Sequence, residues 1–187
     1  MNKEIDITGV VLTTNRLTLR PWKESDLNDF YEYARVDGVG QMAGWSPHRN
    51  MEESRTILSH FIQGKHVFAL EHQGKVIGSL GVEKYNEENY PELAALQGRE
   101  IGYVLSRDYW GQGLMPEAVQ AVIAYLFDTV DLDFLLVGHF DPKFCLKLSY
   151  TQQVSGFLSP ITWRYSKKLG DYRTICDRTP LKFCTHN

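Results

Sequence analysis

One short segment restricts the architectures open to this chain more than any other. Glu100 to Leu105 (EIGYVL) reads as a strand, Asp108 to Gly113 (DYWGQG) interrupts it, and Leu114 to Phe127 at once takes up the most apolar helical pattern of the sequence. The first N–H groups of a helix have no internal acceptor, and the helix dipole adds partial positive charge there. Glycine lets the backbone close round a ligand without side-chain obstruction, so Gly111 and Gly113 make this turn ready for a diphosphate. Pro116 has no N–H, so the donors must come from Trp110, Gly111, Gln112, Gly113, Leu114 and Met115. A dinucleotide fingerprint would need glycine where Pro116 stands, and a Walker loop would need Gly-Lys-Ser/Thr; neither is present. A tight strand-to-helix turn with no ligand remains the alternative reading of a bare pair of glycines.

Around this segment the pattern mixes strands and helices. Arg16 to Trp22 alternates as a half-buried strand, and Leu27, Phe30, Tyr31 and Ala34 give the next helix an apolar face. Asn50 to Glu53 has the form of a capping box before the stripe Ile57, Leu58, Phe61 and Ile62. His66 to Glu71 and Val76 to Tyr85 predict a hairpin, and Asn86 to Gly98 reads as a long exposed acidic loop. Because its apolar residues occupy more than one face, the Leu114 to Phe127 helix is expected to be enclosed. Phe134 to Phe140 suits a central strand, Lys143 to Ser155 a short helix, and Phe157 to Tyr165 with Tyr172 to Asp177 a last hairpin. This alternation indicates a mixed α/β domain.

Composition narrows the partners. With 187 residues, 43% hydrophobic and 23% charged, the chain suits a single domain over 1–187 with its core at about 15–177. Twenty Lys+Arg against 23 Asp+Glu leave a net charge of -3 and no basic stripe, so nucleic acid is not the expected ligand. Cys145, Cys176 and Cys184 form no CxxC, which suggests neither a disulfide framework nor a zinc site and favours the reducing cytoplasm. His139 has no second ligand at metal spacing and reads as structural, so no metal is expected. The polar start MNKEIDITG and the shortness of apolar runs such as Ala121 to Phe127 suggest no secretory or membrane segment.

The stretch EIGYVL followed by YWGQGLMPEA resembles the cofactor-binding motif of the GNAT superfamily of N-acetyltransferases, usually Q/R-x-x-G-x-G/A. It is especially similar to the branch containing the ribosomal-protein N-terminal acetyltransferases. The entry RLTLRPWKESDL and the Gly156-Phe157 pair fit the same branch, so the resemblance runs from about Asn15 to Asp177. It implies an α/β (α+β) fold: a single mixed, mostly antiparallel twisted sheet with flanking helices. Two strands, by analogy Glu100 to Leu105 and Phe134 to Phe140, would splay apart around the pantetheine arm of acetyl-CoA. Asp108 departs from the usual Gln or Arg. In DPKFCLKLSYTQQVSGF, Lys143 and Cys145 lie near the family's Asn position and Leu146 or Leu148 near its Ser. Gln152 takes the place of the usual Tyr, with Tyr150 two residues earlier.

The resemblance implies attack of an amine on a thioester. Holding the two reactants together supplies up to about 7–11 kcal/mol in well-oriented systems. A main-chain N–H near Val104 or Leu105 would bind the carbonyl oxygen. Glu100 is the candidate base, on the strand face of Gly102 and Val104; a solvated carboxylate beside Arg99 is the competing reading. Tyr150 is the candidate general acid, against an ordinary helix-face tyrosine, and Lys143 and Lys147 could meet the 3′-phosphate. Acceptor choice is expected in loop Gly38 to Asn50, with Met42, Trp45 and His48, and in Asn86 to Gln97, with Glu87, Glu88, Glu92 and nearby Glu83. Aromatic residues near the first loop also suit a second subunit, as in a homodimer. The expected activity is acetylation of a primary amine, on a peptide N-terminus or a small molecule. A CoA-binding sensor or structural partner with little catalysis is the rival, motivated by the atypical 143–155 segment.

Overall fold

Gln73 and Gly74 both adopt positive φ, 51° and 80°, and join β3 (Val67–His72) to β4 (Lys75–Glu83) through a turn whose twist matches that of the strands. The hairpin expected from the sequence is thus present, paired from Val67↔Gly81 to His72↔Lys75. The computed structural model describes residues 1–139, 162–168 and 171–177. It contains β1 (Leu12–Thr13), β2 (Thr18–Pro21), α1 (Leu27–Ala34), α2 (Met51–Gly64), β5 (Gly98–Leu105), α3 (Leu114–Asp128), β6 (Phe134–His139), β7 (Thr162–Lys168) and β8 (Asp171–Asp177). The strand β1 had no counterpart in the sequence reading, because two residues carry no periodicity. Asn50 caps α2 by accepting from Glu53 N–H at 2.9 Å, while the Glu53 carboxylate closes one residue early, on Arg49 N–H at 2.8 Å.

The chain divides into two units, one of Glu4–Glu83 with Ile101–Val130 and one of Met1–Lys3, Lys84–Glu100 and Asp131–Asn187. In the first, strands lie in the order β1-β2-β3-β4-β5, β5 contributing its residues from Ile101 onward. Residues 67–70 of β3 are buried on both faces. Val67 and Ala69 join Trp22, Phe30, Leu58 and Val104 beneath α1 and α2, whereas Phe68 meets Tyr125 of α3 edge-on at 6.3 Å. Helices therefore cover both sides of β3, which explains its continuous apolar run. α3 is less enclosed than its composition suggested: Leu114, Ala118, Val122 and Leu126 are among its buried residues, but Ala124 and Asp128 are exposed. The buried face is broad rather than complete. Arg20 grips both Asp26 oxygens at 2.8 and 2.9 Å and Glu71 at 2.7 Å, tying β2, the start of α1 and β3 together.

In the second unit β6, β8 and β7 are antiparallel neighbours, with Phe134↔Asp177 and Thr162↔Asp177 in register. The start of β5 lies beside β6: Asp133 N–H donates to Gln97 C=O at 2.8 Å, and Gln97 N–H to the Asp133 carboxylate at 2.7 Å. The segment Asn86 to Gly98, expected as an exposed loop, instead forms short 3-10 turns at Glu87–Asn89 and Pro91–Leu93. Its glutamates 87, 88 and 92 face solvent, but Tyr90 and Leu93 pack with Tyr85, Phe134 and Leu136 in a core of their own. Acidic content concealed this buried side. The fold class is the expected one, a mixed, mostly antiparallel sheet with flanking helices. Among the described residues no helix is long and apolar enough to cross a membrane.

Two packing features make measurable predictions. A Cβ at Gly98 would lie 2.3 Å from the ring of Phe134, which is 0% exposed and has no room to yield. Gly98→Ala should cost about 1–3 kcal/mol in urea unfolding; a negligible loss would contradict this contact. His48 is buried, with Nδ1 2.7 Å from Ser54 Oγ, and desolvation lowers its pKa below 6.5 against the pull of Glu53. The unfolded chain therefore takes up this proton first. The stability His48 contributes is full above pH 6.5 and declines as pH falls below it. His48→Gln should flatten that part of the urea-midpoint profile, and an unaltered slope would count against it.

Candidate active site

Where β5 ends, Ser106 N–H donates to Ile77 C=O of β4 at 2.7 Å. A Cβ at Gly78 of β4 would lie 2.4 Å from Val104 C=O, so glycine is what permits this close approach. One 3-10 turn, Arg107–Tyr109, then leads to the double-glycine bend. Trp110 Nε1 reaches back to Leu105 C=O at 2.8 Å, and Gln112 Nε2 donates to Asp108 C=O at 3.1 Å. These side-chain bonds close the loop on itself. The Trp110 N–H, expected from the sequence to be the first donor, instead donates to Arg107 C=O at 3.2 Å as the 3-10 turn closes, so the uncommitted donors begin at Gly111.

Gly111 and Gly113 are both left-handed, with φ of 74° and 75°. Among the described residues, the N–H groups of Gly111, Gln112, Gly113, Leu114 and Met115 have no hydrogen-bond acceptor, and Pro116 has no N–H. The first helical bond after them runs from Glu117 N–H to Gly113 C=O at 3.3 Å. Gly111, Gln112 and Gly113 are exposed, whereas the buried side chains of Leu114 and Met115 anchor the helix start. Among the described residues no heavy atom lies within 4 Å of the position a Cβ would take at Gly111. A cluster of uncommitted amides at a helix start, with open space over a glycine, fits the diphosphate of a coenzyme.

The loop also has a support that local sequence did not reveal. Arg16, at the turn between β1 and β2, donates from Nη1 to Gln112 C=O at 2.8 Å and from Nε to the Glu117 carboxylate at 2.7 Å. Glu117 further accepts Arg16 N–H at 2.9 Å and the Thr14 hydroxyl at 2.5 Å. Partial burial works to raise the Glu117 pKa, but the bonds from Thr14 and Arg16 outweigh it and hold the carboxyl below 4.5. Glu117, an acidic residue in the first turn of α3 where the helix dipole favours it, is thus an ionic anchor as well. Arg16 and Gln112 are 96 positions apart, so no short-range pattern could pair them.

The other candidates are distributed as follows. Val104 belongs to the core under α1 and α2, and strand alternation puts Gly102 and Glu100 on the same face of β5. Among the described residues no heavy atom lies within 4 Å of a Cβ at Gly102, and Glu100 is half-buried. Asp108 is exposed and contributes its carbonyl to the loop. Tyr150, with Lys143, Cys145, Lys147 and Gln152, lies outside the described residues. In the loop Gly38 to Asn50, expected from the sequence to choose the acceptor, the Trp45 and His48 rings are tilted against each other with centroids 5.0 Å apart, and Trp45 covers Gly40, where a Cβ would lie 2.2 Å from the indole. Among the described residues no group of His, Cys, Asp and Glu is arranged to hold a metal ion.

A strand, a glycine bend with amides unpaired among the described residues and a helix make a site suited to a phosphate-bearing coenzyme, and the family comparison says which fold carries it. Residues 16–143 match the acetyltransferase (GNAT) domain, and the chain belongs to that family. It is 29% identical over 130 residues, 65% of its length and 68% of the relative's, to the uncharacterized N-acetyltransferase p20 of Bacillus licheniformis. Its fold is similar to a GNAT-family acetyltransferase from Bacillus anthracis, with TM-score 0.68, 19% identity, and 90% of this chain and 99% of that one covered. It is also similar to RimL, the ribosomal L7/L12 alpha-N-protein acetyltransferase, with TM-score 0.56, 16% identity and coverage of 89% and 92%.

Replacing Gly111 or Gly113 by alanine should cost about 1–2 kcal/mol each, the penalty for an L-residue in the left-handed region. At Gly113 the nearest atom to the new Cβ is Arg16 Nη2 at 3.6 Å, so conformational strain rather than a clash is expected. Urea unfolding of the two variants measures this, and wild-type stability in both would contradict the bend.

Proposed function

We propose that the protein is an acetyl-CoA-dependent N-acetyltransferase whose acceptor is the amine of a protein or peptide N-terminus. The observation that carries the donor half is the cluster of uncommitted amides from Gly111 to Met115. Those amides would hold the diphosphate, with Trp110 closing the loop onto Leu105. A main-chain N–H near Val104 or Leu105 would take the thioester oxygen as negative charge develops. The neutral amine attacks the carbonyl carbon; its C–N bond forms as the C–S bond breaks, and Glu100 takes the amine proton directly or through a water. A thiolate of ordinary pKa, about 8.5, leaves with little acid assistance. Open space over Gly102, on the Glu100 face of β5, supports a place for the acceptor. The peptide class rests on the RLTLRPW and YWGQG resemblance and on the fold similarity to an alpha-N-protein acetyltransferase.

The test is incubation with acetyl-CoA and a panel of peptides, polyamines, amino acids and aminoglycosides, read by thiol release and product mass. Peptide N-termini should be acetylated, and CoA should stabilise the fold by about 2.7 kcal/mol at 100 times its dissociation constant. Glu100→Gln should lower kcat by about 100-fold with CoA affinity retained. Lack of product and of any melting shift would remove the proposal; undiminished kcat would remove Glu100 as the base.

A further inference from the structure

We propose that Arg16 is a positioning residue for diphosphate binding: by holding the Gln112 carbonyl it presents the Gly113 N–H to the ligand. This deepens, and rests on, the acetyl-CoA reading above. A trans peptide unit is planar, so the Gln112 C=O and the Gly113 N–H point in opposite directions. Arg16 Nη1 fixes the carbonyl at 2.8 Å and thereby the direction of the amide. Without that bond the peptide has unusual freedom to rotate, because the residue on its C-terminal side is a glycine with φ of 75°.

The clamp is itself held rigid. Glu117 takes the Arg16 Nε at 2.7 Å, the Nη2 at 2.7 Å and the main-chain N–H at 2.9 Å. Thr14 Oγ1 accepts Leu17 N–H at 2.9 Å, and His72 Nδ1 lies 2.9 Å from Arg16 C=O. The β1–β2 turn is thereby fastened to both the loop before α3 and the first turn of α3. Glu117 balances the guanidinium charge, so the contribution of Arg16 is directional rather than a matter of net attraction. Lysine at this position has a single ammonium and cannot reproduce the planar fork that spans Glu117 and Gln112.

The experiment compares donors with and without a diphosphate. Arg16→Ala and Arg16→Lys are assayed with acetyl-CoA and with acetyl-pantetheine, beside CoA binding and urea unfolding of each protein. Both variants should raise Kd for CoA and KM for acetyl-CoA by about tenfold or more. Their kcat at saturation and their turnover of acetyl-pantetheine should stay at wild-type values. Equal loss with both donors would mark an ordinary structural contact and overturn the inference, as would wild-type affinity for CoA. If Arg16→Ala fails to fold, Arg16→Lys carries the comparison. A wild-type protein that does not bind CoA would overturn the acetyl-CoA reading and this inference with it. A wild-type protein that binds CoA beside variants that bind it equally would overturn the inference alone.

Discussion

Main-chain donors without acceptors among the described residues govern the construction of this protein around residues 111–115. A buried N–H left unpaired costs about 1–3 kcal/mol, so such a cluster must face water or a ligand. Gly111, Gln112 and Gly113 meet that condition by being exposed. Glycines at 111 and 113 permit the left-handed turn, and Pro116 sits where a helix tolerates a missing donor. Leu114 and Met115 bury their side chains, so the helix is held from inside while the bend stays exposed.

The rest of its unit serves to keep that bend in place. β3 is covered on both faces, by α1 and α2 on one and α3 on the other, which fixes the strands on which β5 lies. Gly78 lets β4 approach Val104 closely enough to brace the end of β5. Two ionic groups then fasten elements distant in sequence: Arg20 with Asp26 and Glu71, and Arg16 with Glu117. The Arg20 group is largely buried, so removing one partner would leave an uncompensated charge; Arg16 is 44% exposed, so its pair with Glu117 adds little net stability and serves to fix geometry.

Acyl transfer from a thioester suits such a scaffold because its demands are mainly positional. The leaving thiol is acidic enough to depart readily, and much of the acceleration comes from alignment. A rigid bend at one end of the sheet can therefore be combined with separately shaped loops elsewhere. The Trp45–His48 pair over Gly40 shows such a loop given a defined shape by aromatic packing on a glycine.

The strand–bend–helix unit, the β3–β4 hairpin and the cap of α2 were legible along the chain because each depends on near neighbours. Positive φ selects glycine at 74, 111 and 113, apolar period marks α3, and Asn50 needs only Glu53. Three features were not legible. The burial of Tyr90 and Leu93 depends on Phe134, the short β1 depends on β2, and the grip of Arg16 on Gln112 spans 96 positions. Local preference sets a residue's conformation, but a contact between distant residues exists only once the sheet has brought their elements together. The chain alone thus specified a glycine bend before a helix, and folding supplied the arginine that holds the Gln112 carbonyl, because hydrogen-bond direction is a property of three-dimensional arrangement and not of neighbouring residues.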